Sequence, residues 1–234
     1  APHWSLLLAS VLAAPLAILV PRALPDARPP AAAKADSRSS GLFIPGLLLL
    51  SICIVGLASN LAEGATADWS AVYLTDVFAA TGGAAGLGYS AYAFTMAIGR
   101  FTGDWARVKW GPVVLVQACY GIAALGVGLV VLSPHYALSL VGFALIGIGG
   151  SVGVPLAVSA AASVGGRPAA ANVAMVTFIS LIAFVGGPPV IGLLAEHFGL
   201  RFALGITMFP AFAAGLLLAG SLRPRTAEGS VSGA

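Results

Sequence analysis

Charged residues are scarce in this chain. Only 8% of its 234 residues are Asp, Glu, Lys or Arg, whereas 59% are hydrophobic. A soluble domain carries about 25% charged residues, so a chain this poor in charge lacks the polar surface that solubility requires. The composition therefore predicts a membrane-embedded protein, and the small net charge of +3 has to be interpreted by where the charges lie.

Other absences each argue against a class of function. The two cysteines, Cys53 and Cys119, lie apart inside apolar runs, and the sequence has neither a Cys-x-x-Cys pair nor a His/Cys cluster. We therefore expect no metal site and no cofactor. No basic run is interleaved with aromatic residues, which argues against a nucleic-acid partner. The three histidines lie near loops or ends without a catalytic partner, so the sequence does not indicate an enzyme.

Long apolar segments are what the chain has instead. A helix that crosses a hydrocarbon core about 30 Å thick needs about 20 apolar residues. Candidate segments are 4–20, 42–61, 82–101, 112–132, 136–162, 169–195 and 202–222. The stretch between the first two is rich in proline, alanine and charge and is predicted to be a flexible linker. We predict an all-α, polytopic transmembrane bundle with about seven membrane spans.

The positive charges are distributed unevenly over the predicted loops. Ten of the eleven Lys and Arg residues fall in the linker, in residues 100–109, at Arg167 and in the C-terminal tail, whereas Arg201 alone falls on the other side. Loops rich in Lys and Arg face the cytoplasm. We therefore expect a multi-pass protein of the cell (inner) membrane whose C-terminus is cytoplasmic and whose Ala1 lies outside.

One cluster of charges interrupts the apolar interior of the sequence. Arg100, Asp104 and Arg107 are spaced so that a helix could place all three on one face. Gly99 and Gly103, four residues apart, would let neighbouring backbones come close. We expect a short basic turn between two membrane helices. Its charges are predicted either to form a cluster that gates one conformation or merely to anchor the helix ends.

Two carboxylates, Glu63 and Asp68, follow the second apolar segment. Carboxylates at membrane depth are costly and usually face a cavity or a partner. Because about 20 apolar residues precede Glu63, we expect it in the outer half of the membrane, on a helix loosened at Gly64. We hypothesise that Glu63 binds a substrate or exchanges a proton, with Asp68 secondary. The alternative is that both are solvated at the outer interface.

Polar and aromatic residues near these carboxylates are the remaining site candidates. Asn60, Trp69, Tyr73 and Tyr92 could line a cavity with hydrogen-bonding and stacking groups. Tryptophan and tyrosine also form the interfacial belts of ordinary membrane proteins. For Trp69 and Tyr73 the two interpretations have equal weight.

The order of these features resembles the C-terminal half of a major facilitator superfamily transporter, preceded by the last helix of the N-terminal half. The stretch from Gly99 to Arg107 resembles the signature turn of that superfamily, although Arg100 and Arg107 stand where glycines are usual. Residues 187–196 resemble the Gly-Pro-rich end of its eleventh helix, and residues 63–74 resemble its seventh helix in a branch related to sugar permeases.

The resemblance implies a domain organisation. Residues 1–21 would be the last transmembrane helix of the N-terminal half and residues 22–41 the cytoplasmic linker. Residues 42–222 would form the six-helix C-terminal bundle and residues 223–234 the cytoplasmic tail. Because the chain begins without a methionine, we expect a partial chain whose partner is the missing N-terminal helical half.

The resemblance also implies a mechanism, in which a secondary transporter moves a small solute across the lipid bilayer by alternating access. The sequence has no G-x-x-x-x-G-K-[ST] loop for ATP, so we expect an ion or substrate gradient to supply the energy. Protons are the default coupling ion because Glu63 and Asp68 can titrate. The alternative is a non-transporting membrane receptor or assembly protein with the same helical bundle.

Overall fold

The structure is a computed structural model that describes residues 46–224, and within that range it contains helices and connecting turns but no β-strand. The helices are α1 (Leu47–Phe78), α2 (Gly83–Leu132), α3 (Tyr136–Gly150), α4 (Gly153–Ala162), α5 (Ala169–Phe198) and α6 (Leu200–Leu218), followed by the 3₁₀ helix Ala219–Leu222. Five helical stretches in the described range are long and apolar enough to cross a membrane. The predicted all-α membrane fold is confirmed for these residues.

The 50-residue helix α2 consists of two membrane-length legs that meet at Gly111. This residue has φ 77° and ψ 162°, outside the helical region, and Pro112 follows it as the first residue of the next leg. Residues 83–110 are called α2a and residues 112–132 are called α2b. Gly103 of α2a and Leu115 of α2b line one cavity, whereas a straight helix would hold them about 18 Å apart. The chain therefore reverses direction at Gly111.

Residues 46–224 thus contain six membrane-length segments. The predicted first span at 4–20, the linker at 22–41 and most of the tail lie outside the described residues. The predicted basic turn is wrong, because residues 99–110 continue α2a as helix and only Gly111 departs from helical geometry. Within a bilayer a continuous helix satisfies its own backbone hydrogen bonds, so a few charges and glycines do not end it.

Glycines let α3 approach both legs of α2 through the backbone. A Cβ atom at Gly126 of α2b would lie 2.7 Å from the carbonyl oxygen of Gly142 in α3. A Cβ at Gly149 would lie 2.4 Å from the carbonyl oxygen of Cys119, and one at Gly147 would clash with α2a. These separations are shorter than real side-chain contacts, so only glycine fits. The glycine-rich segment is a packing surface, as expected from small residues in membrane helices.

Helix α1 runs without interruption from Leu47 to Phe78. The loosening predicted at Gly64 is wrong: a Cβ there would lie 2.4 Å from the carbonyl oxygen of Phe184, so this glycine admits the backbone of α5. Glu63 stands at the middle of the 32-residue helix, about 24 Å from Leu47 at 1.5 Å per residue. Glu63 therefore lies at the centre of α1.

Candidate functional site: a central ion pair with a buried tyrosine

An ion pair joins α1 to α2a near the middle of both helices. Arg100 Nη2 donates a hydrogen bond to Glu63 Oε2 at 3.2 Å. The two helices are antiparallel, since Leu74 near the end of α1 meets Gly88 near the start of α2a. Side chains on a helix lean towards its own N-terminus, so these two long side chains lean towards each other. The pairing follows from the register of the two helices.

The pair is partly open to the surroundings of the described bundle. The Glu63 side chain is 31% exposed and the Arg100 side chain is 53% exposed. Charges at membrane depth normally face a partner or a water-filled cavity. Here each charge has the other as its partner, and each also keeps surface through which a ligand could approach. The pair is therefore neutral as a whole and accessible.

Tyr92 of α2a, about two turns before Arg100, has a hydroxyl that is buried and makes no hydrogen bond within residues 46–224. The side chain is 1% exposed. Its ring stacks on Tyr89 with centroids 6.2 Å apart. Buried polar groups are hydrogen-bonded in the great majority of cases. The unpaired phenol of Tyr92 is thus a candidate contact for a ligand.

Asn60 and Asp68 flank Glu63 on α1 in different ways. Asn60 is half-buried and lies three residues before Glu63, on the adjoining part of the same face. Asp68 is exposed and forms no ion pair or hydrogen bond within residues 46–224. It is rotated about 140° from Glu63 on a regular helix. Since the helix is undistorted at Gly64, the two carboxylates do not share a face, and Asp68 lies away from the ion pair.

Tyr73 is buried inside the bundle, and the half-buried Trp69 packs against α5. Trp69 Nε1 donates a hydrogen bond to the carbonyl oxygen of Pro188 in α5 at 3.1 Å. Tyr73 is fully buried, its hydroxyl donates to the carbonyl oxygen of Val130 in α2b, and its ring meets Phe143 edge to face. These contacts hold α1 against its neighbours. The structure therefore gives Tyr73 a packing position in place of the predicted cavity or belt position.

The charges of the predicted gate do not pair with one another in the described structure. Arg100 pairs with Glu63, and Arg107 Nη2 donates to Ser159 Oγ in α4 at 3.1 Å. Asp104 forms no ion pair or hydrogen bond through its side chain within residues 46–224. Arg100, Asp104 and Arg107 nevertheless line one cavity of about 260 Å³. The cluster connects α2a to α1 and α4 and does not close on itself.

Gly99 and Gly103 leave room for Ser151 and Val152, the two residues that connect α3 to α4. A Cβ at Gly99 would lie 2.3 Å from Ser151 Oγ, and a Cβ at Gly103 would lie 3.3 Å from the Val152 side chain. Gly99 thus faces a close neighbour, including the Ile148 carbonyl oxygen at 3.3 Å, whereas Gly103 meets only a side chain. Because Gly99 is in tight contact, the backbone that carries Arg100 is fixed against α3 and α4.

Sequence reasoning missed the partnership between Glu63 and Arg100. The sequence alone assigns the two residues to different depths, because it predicts a turn at the basic stretch and a helix α1 that is loosened at Gly64. A signal existed in the form of two opposite charges inside long apolar segments of consecutive, and hence antiparallel, helices. Within the described residues, no group of three or more His, Cys, Asp and Glu side chains is placed to hold a metal ion.

Comparisons with known proteins give relatives but no structural match. No protein-family model matches the chain, and no solved structure matches it significantly. It is 36% identical over 180 residues to an uncharacterized transporter of Sinorhizobium fredii, covering 76% of this chain and 48% of that protein. It is 34% identical over 156 residues to membrane protein MosC of Rhizobium meliloti, covering 67% and 38%. It is 33% identical over 145 residues to an uncharacterized MFS-type transporter of Yersinia pestis, covering 62% and 38%.

The chain spans about half the length, or less, of the curated relatives it matches. Two of these relatives are named as transporters, and the third is named as a membrane protein. Their names agree with the six membrane-length segments of the described structure. At this coarse level the chain is similar to membrane transporters, one of them of the major facilitator type.

Proposed function

We propose that this chain is the C-terminal helical part of a secondary active transporter of the major facilitator type, which moves a small solute by alternating access. The observation that carries the proposal is the Glu63–Arg100 ion pair between α1 and α2a, with the unpaired hydroxyl of Tyr92 about two turns away on α2a. Ionisable groups at this depth typically mark a transport pathway. The names of the relatives support transport, and none of them names an enzyme.

Each residue of the proposed site has its own role. Arg100 presents a planar set of N–H donors, Glu63 presents acceptor oxygens, and the Tyr92 hydroxyl can donate or accept. A solute that replaces one partner of the ion pair compensates the other partner and also pairs the Tyr92 hydroxyl. Because a ligand shifts an equilibrium only by binding two states differently, this exchange of partners would favour one conformation over the other.

Proton coupling is the further part of the proposal. Protonation of Glu63 removes its negative charge, so Arg100 loses its ionic partner and becomes available to a solute. One carboxylate would thereby connect proton movement to solute binding. Asn60, on the adjoining face of α1, is proposed as an additional polar contact. Asp104 and Arg107 lie further along α2a, on the side that faces α4. We propose that they act at the gate by contacts across this interface.

The orientation of the chain is also proposed from charge. With Arg100 at mid-helix, nine of the eleven Lys and Arg residues remain in the loops, helix end and tail assigned to one side. Arg201 lies at the opposite end, where Nη1 donates to the carbonyl oxygen of Val131. The positive-inside rule then supports a cytoplasmic C-terminus in an inner membrane. No observation in the described residues specifically favours the receptor or assembly alternative.

Glu63→Gln in the complete protein tests the proposed function. Cells that express the wild type, the variant or no transporter are compared by mass spectrometry of their small solutes inside and in the medium. We expect the solute difference produced by the wild type to fall by about tenfold or more, because a charge-assisted hydrogen bond of about 1.5–3 kcal/mol is lost. Asp76→Asn, which removes an exposed carboxylate from the end of α1, is the matched control.

Two further results separate the parts of the proposal. If Glu63 serves proton coupling alone, exchange of the identified solute at equal concentrations survives in Glu63→Gln while gradient-driven accumulation is lost. If Glu63 binds the solute directly, exchange fails as well. Unchanged accumulation with an unchanged pH dependence, at equal amounts of protein in the membrane, would remove Glu63 from the transport site.

A further inference from the structure

A second cavity, of about 160 Å³, lies at the end of the bundle where α2a and α4 stop. Two arginines and two serines line it: Arg107, Ser159, Ser163 and Arg223. Apolar side chains, including Leu156 and Leu222, complete the wall. No acidic side chain among the described residues lines this cavity. The nearest carboxylate along α2a, Asp104, lines the neighbouring cavity. The cavity therefore concentrates positive charge and hydroxyl groups.

The arginines of this cavity retain donors that no described residue uses. Arg107 donates from Nη2 to Ser159 Oγ and forms no other side-chain hydrogen bond within residues 46–224. Ser159 accepts that bond, so its own O–H can donate elsewhere. The Arg223 side chain is exposed and forms no hydrogen bond or ion pair in the described part of the chain. The spare donors are those that bind a phosphate group in a bidentate manner.

Neighbouring aromatic residues place this cavity at the membrane surface. Trp105 and Trp110 flank Arg107 on α2a and are 61% and 50% exposed. Lys109 Nζ lies over both rings, 4.9 Å and 5.4 Å from their centroids. Exposed tryptophans beside a lysine at a helix end are typical of the level of lipid headgroups. Arg107 and the cavity are therefore within reach of headgroup phosphates.

We propose that this cavity binds the phosphate of an anionic phospholipid headgroup. Arg107 and Arg223 would hold the phosphate oxygens, and the Ser159 hydroxyl would add a third donor. Basic pockets between membrane helices bind anionic headgroups in this way. The bound lipid joins the ends of α2a, α4 and the 3₁₀ helix, so it stabilises this end of the bundle. The cavity is separate from the ion pair at Glu63. Arg107 also belongs to the proposed gate, but the lipid contact does not depend on transport.

Thermal unfolding of the complete protein in neutral detergent tests this site. Dioleoylphosphatidylglycerol should raise the melting temperature by about 2–4 °C more than dioleoylphosphatidylcholine, since a ligand of the folded state stabilises it. Arg107→Gln and Arg223→Gln should each lose most of that difference. Lys109→Gln should retain it, because it removes a positive charge at the same level but outside the cavity. Native mass spectrometry of bound phosphatidylglycerol gives a second measurement for variants whose own stability changes.

Inorganic phosphate tests whether the occupant of the cavity is a lipid headgroup or a soluble phosphate. Sodium phosphate, compared with sodium chloride at equal ionic strength, should leave the melting temperature unchanged if the lipid is the occupant. A rise with inorganic phosphate that both arginine variants abolish would assign the site to a soluble phosphate and overturn the lipid proposal. Equal responses to the two lipids, or equal retention of phosphatidylglycerol by the wild type and both arginine variants, would overturn the site itself.

Discussion

The two interfaces that the legs of α2 form with α3 and α1 are held by different physical means. Helix α2b meets α3 through glycine backbones at Gly126 and Gly149, and neither α2b nor α3 contains a charged residue. Helix α2a meets α1 through packing at Gly88 and, unlike α2b, also through the partly exposed pair of Glu63 and Arg100. Close backbone packing permits one arrangement, whereas an accessible ion pair can exchange partners. Leg α2b therefore serves as scaffold alone, whereas α2a, which also packs on α3 at Gly147, carries the proposed site.

The largest expected loss of stability comes from disturbing the glycine interface. Gly126→Ala places a methyl group where 2.7 Å separates it from the Gly142 carbonyl oxygen, so the helices must move apart. We expect a loss of about 1–3 kcal/mol and a melting temperature lower by roughly 2–10 °C. Gly128→Ala, two residues along α2b with no atom within 4 Å of its Cβ position, is the matched control.

That control should be neutral or slightly stabilising, because alanine favours helix over glycine. Equal melting temperatures for Gly126→Ala and Gly128→Ala would show that the α2b–α3 interface tolerates a methyl group. The contrast between a fixed and an exchangeable interface would then have no basis.

Two buried tyrosines, Tyr120 and Tyr92, allow the same comparison with a smaller expected change in stability. The Tyr120 hydroxyl donates to the carbonyl oxygen of Val55 and lies 3.0 Å from Ser59 Oγ, whereas the Tyr92 hydroxyl has no described partner. Tyr120→Phe should lower stability by about 0.5–1.5 kcal/mol and spare transport. Tyr92→Phe should leave the melting temperature unchanged and reduce transport of the solute identified for the wild type. Equal destabilisation by both would mean that Tyr92 has a structural partner.

Local features of the sequence predicted two membrane segments closely, whereas α1 continues to Phe78, beyond the predicted end at residue 61. The predicted spans 112–132 and 136–162 coincide with the helical bounds, because apolar length together with proline and glycine at the ends is visible in the sequence. Glycine within a helix was harder to interpret. Gly64 can loosen a helix or admit a neighbour, and only the position of Phe184 in α5 decides between these uses.

The partners of the charged groups could not be predicted for the same reason. By helical spacing Asp104 could pair with Arg100 or with Arg107. Arg100 instead pairs with Glu63, which is 37 residues away in the sequence. Such a pairing depends on which helices are neighbours and on their register, and no local pattern records either. The residue types of the site were recognised from the sequence, whereas their arrangement came from the packing of α1 against α2a.

Exchange of the two charges tests the central claim most directly. The complete protein is compared as wild type, Glu63→Arg, Arg100→Glu and the double variant, with melting temperature and solute transport measured for each. If Glu63 and Arg100 contact the solute, the double variant regains stability through its reversed ion pair but does not transport. Recovery of both stability and transport to wild-type levels would contradict the account, because the pair would then only hold α1 to α2a.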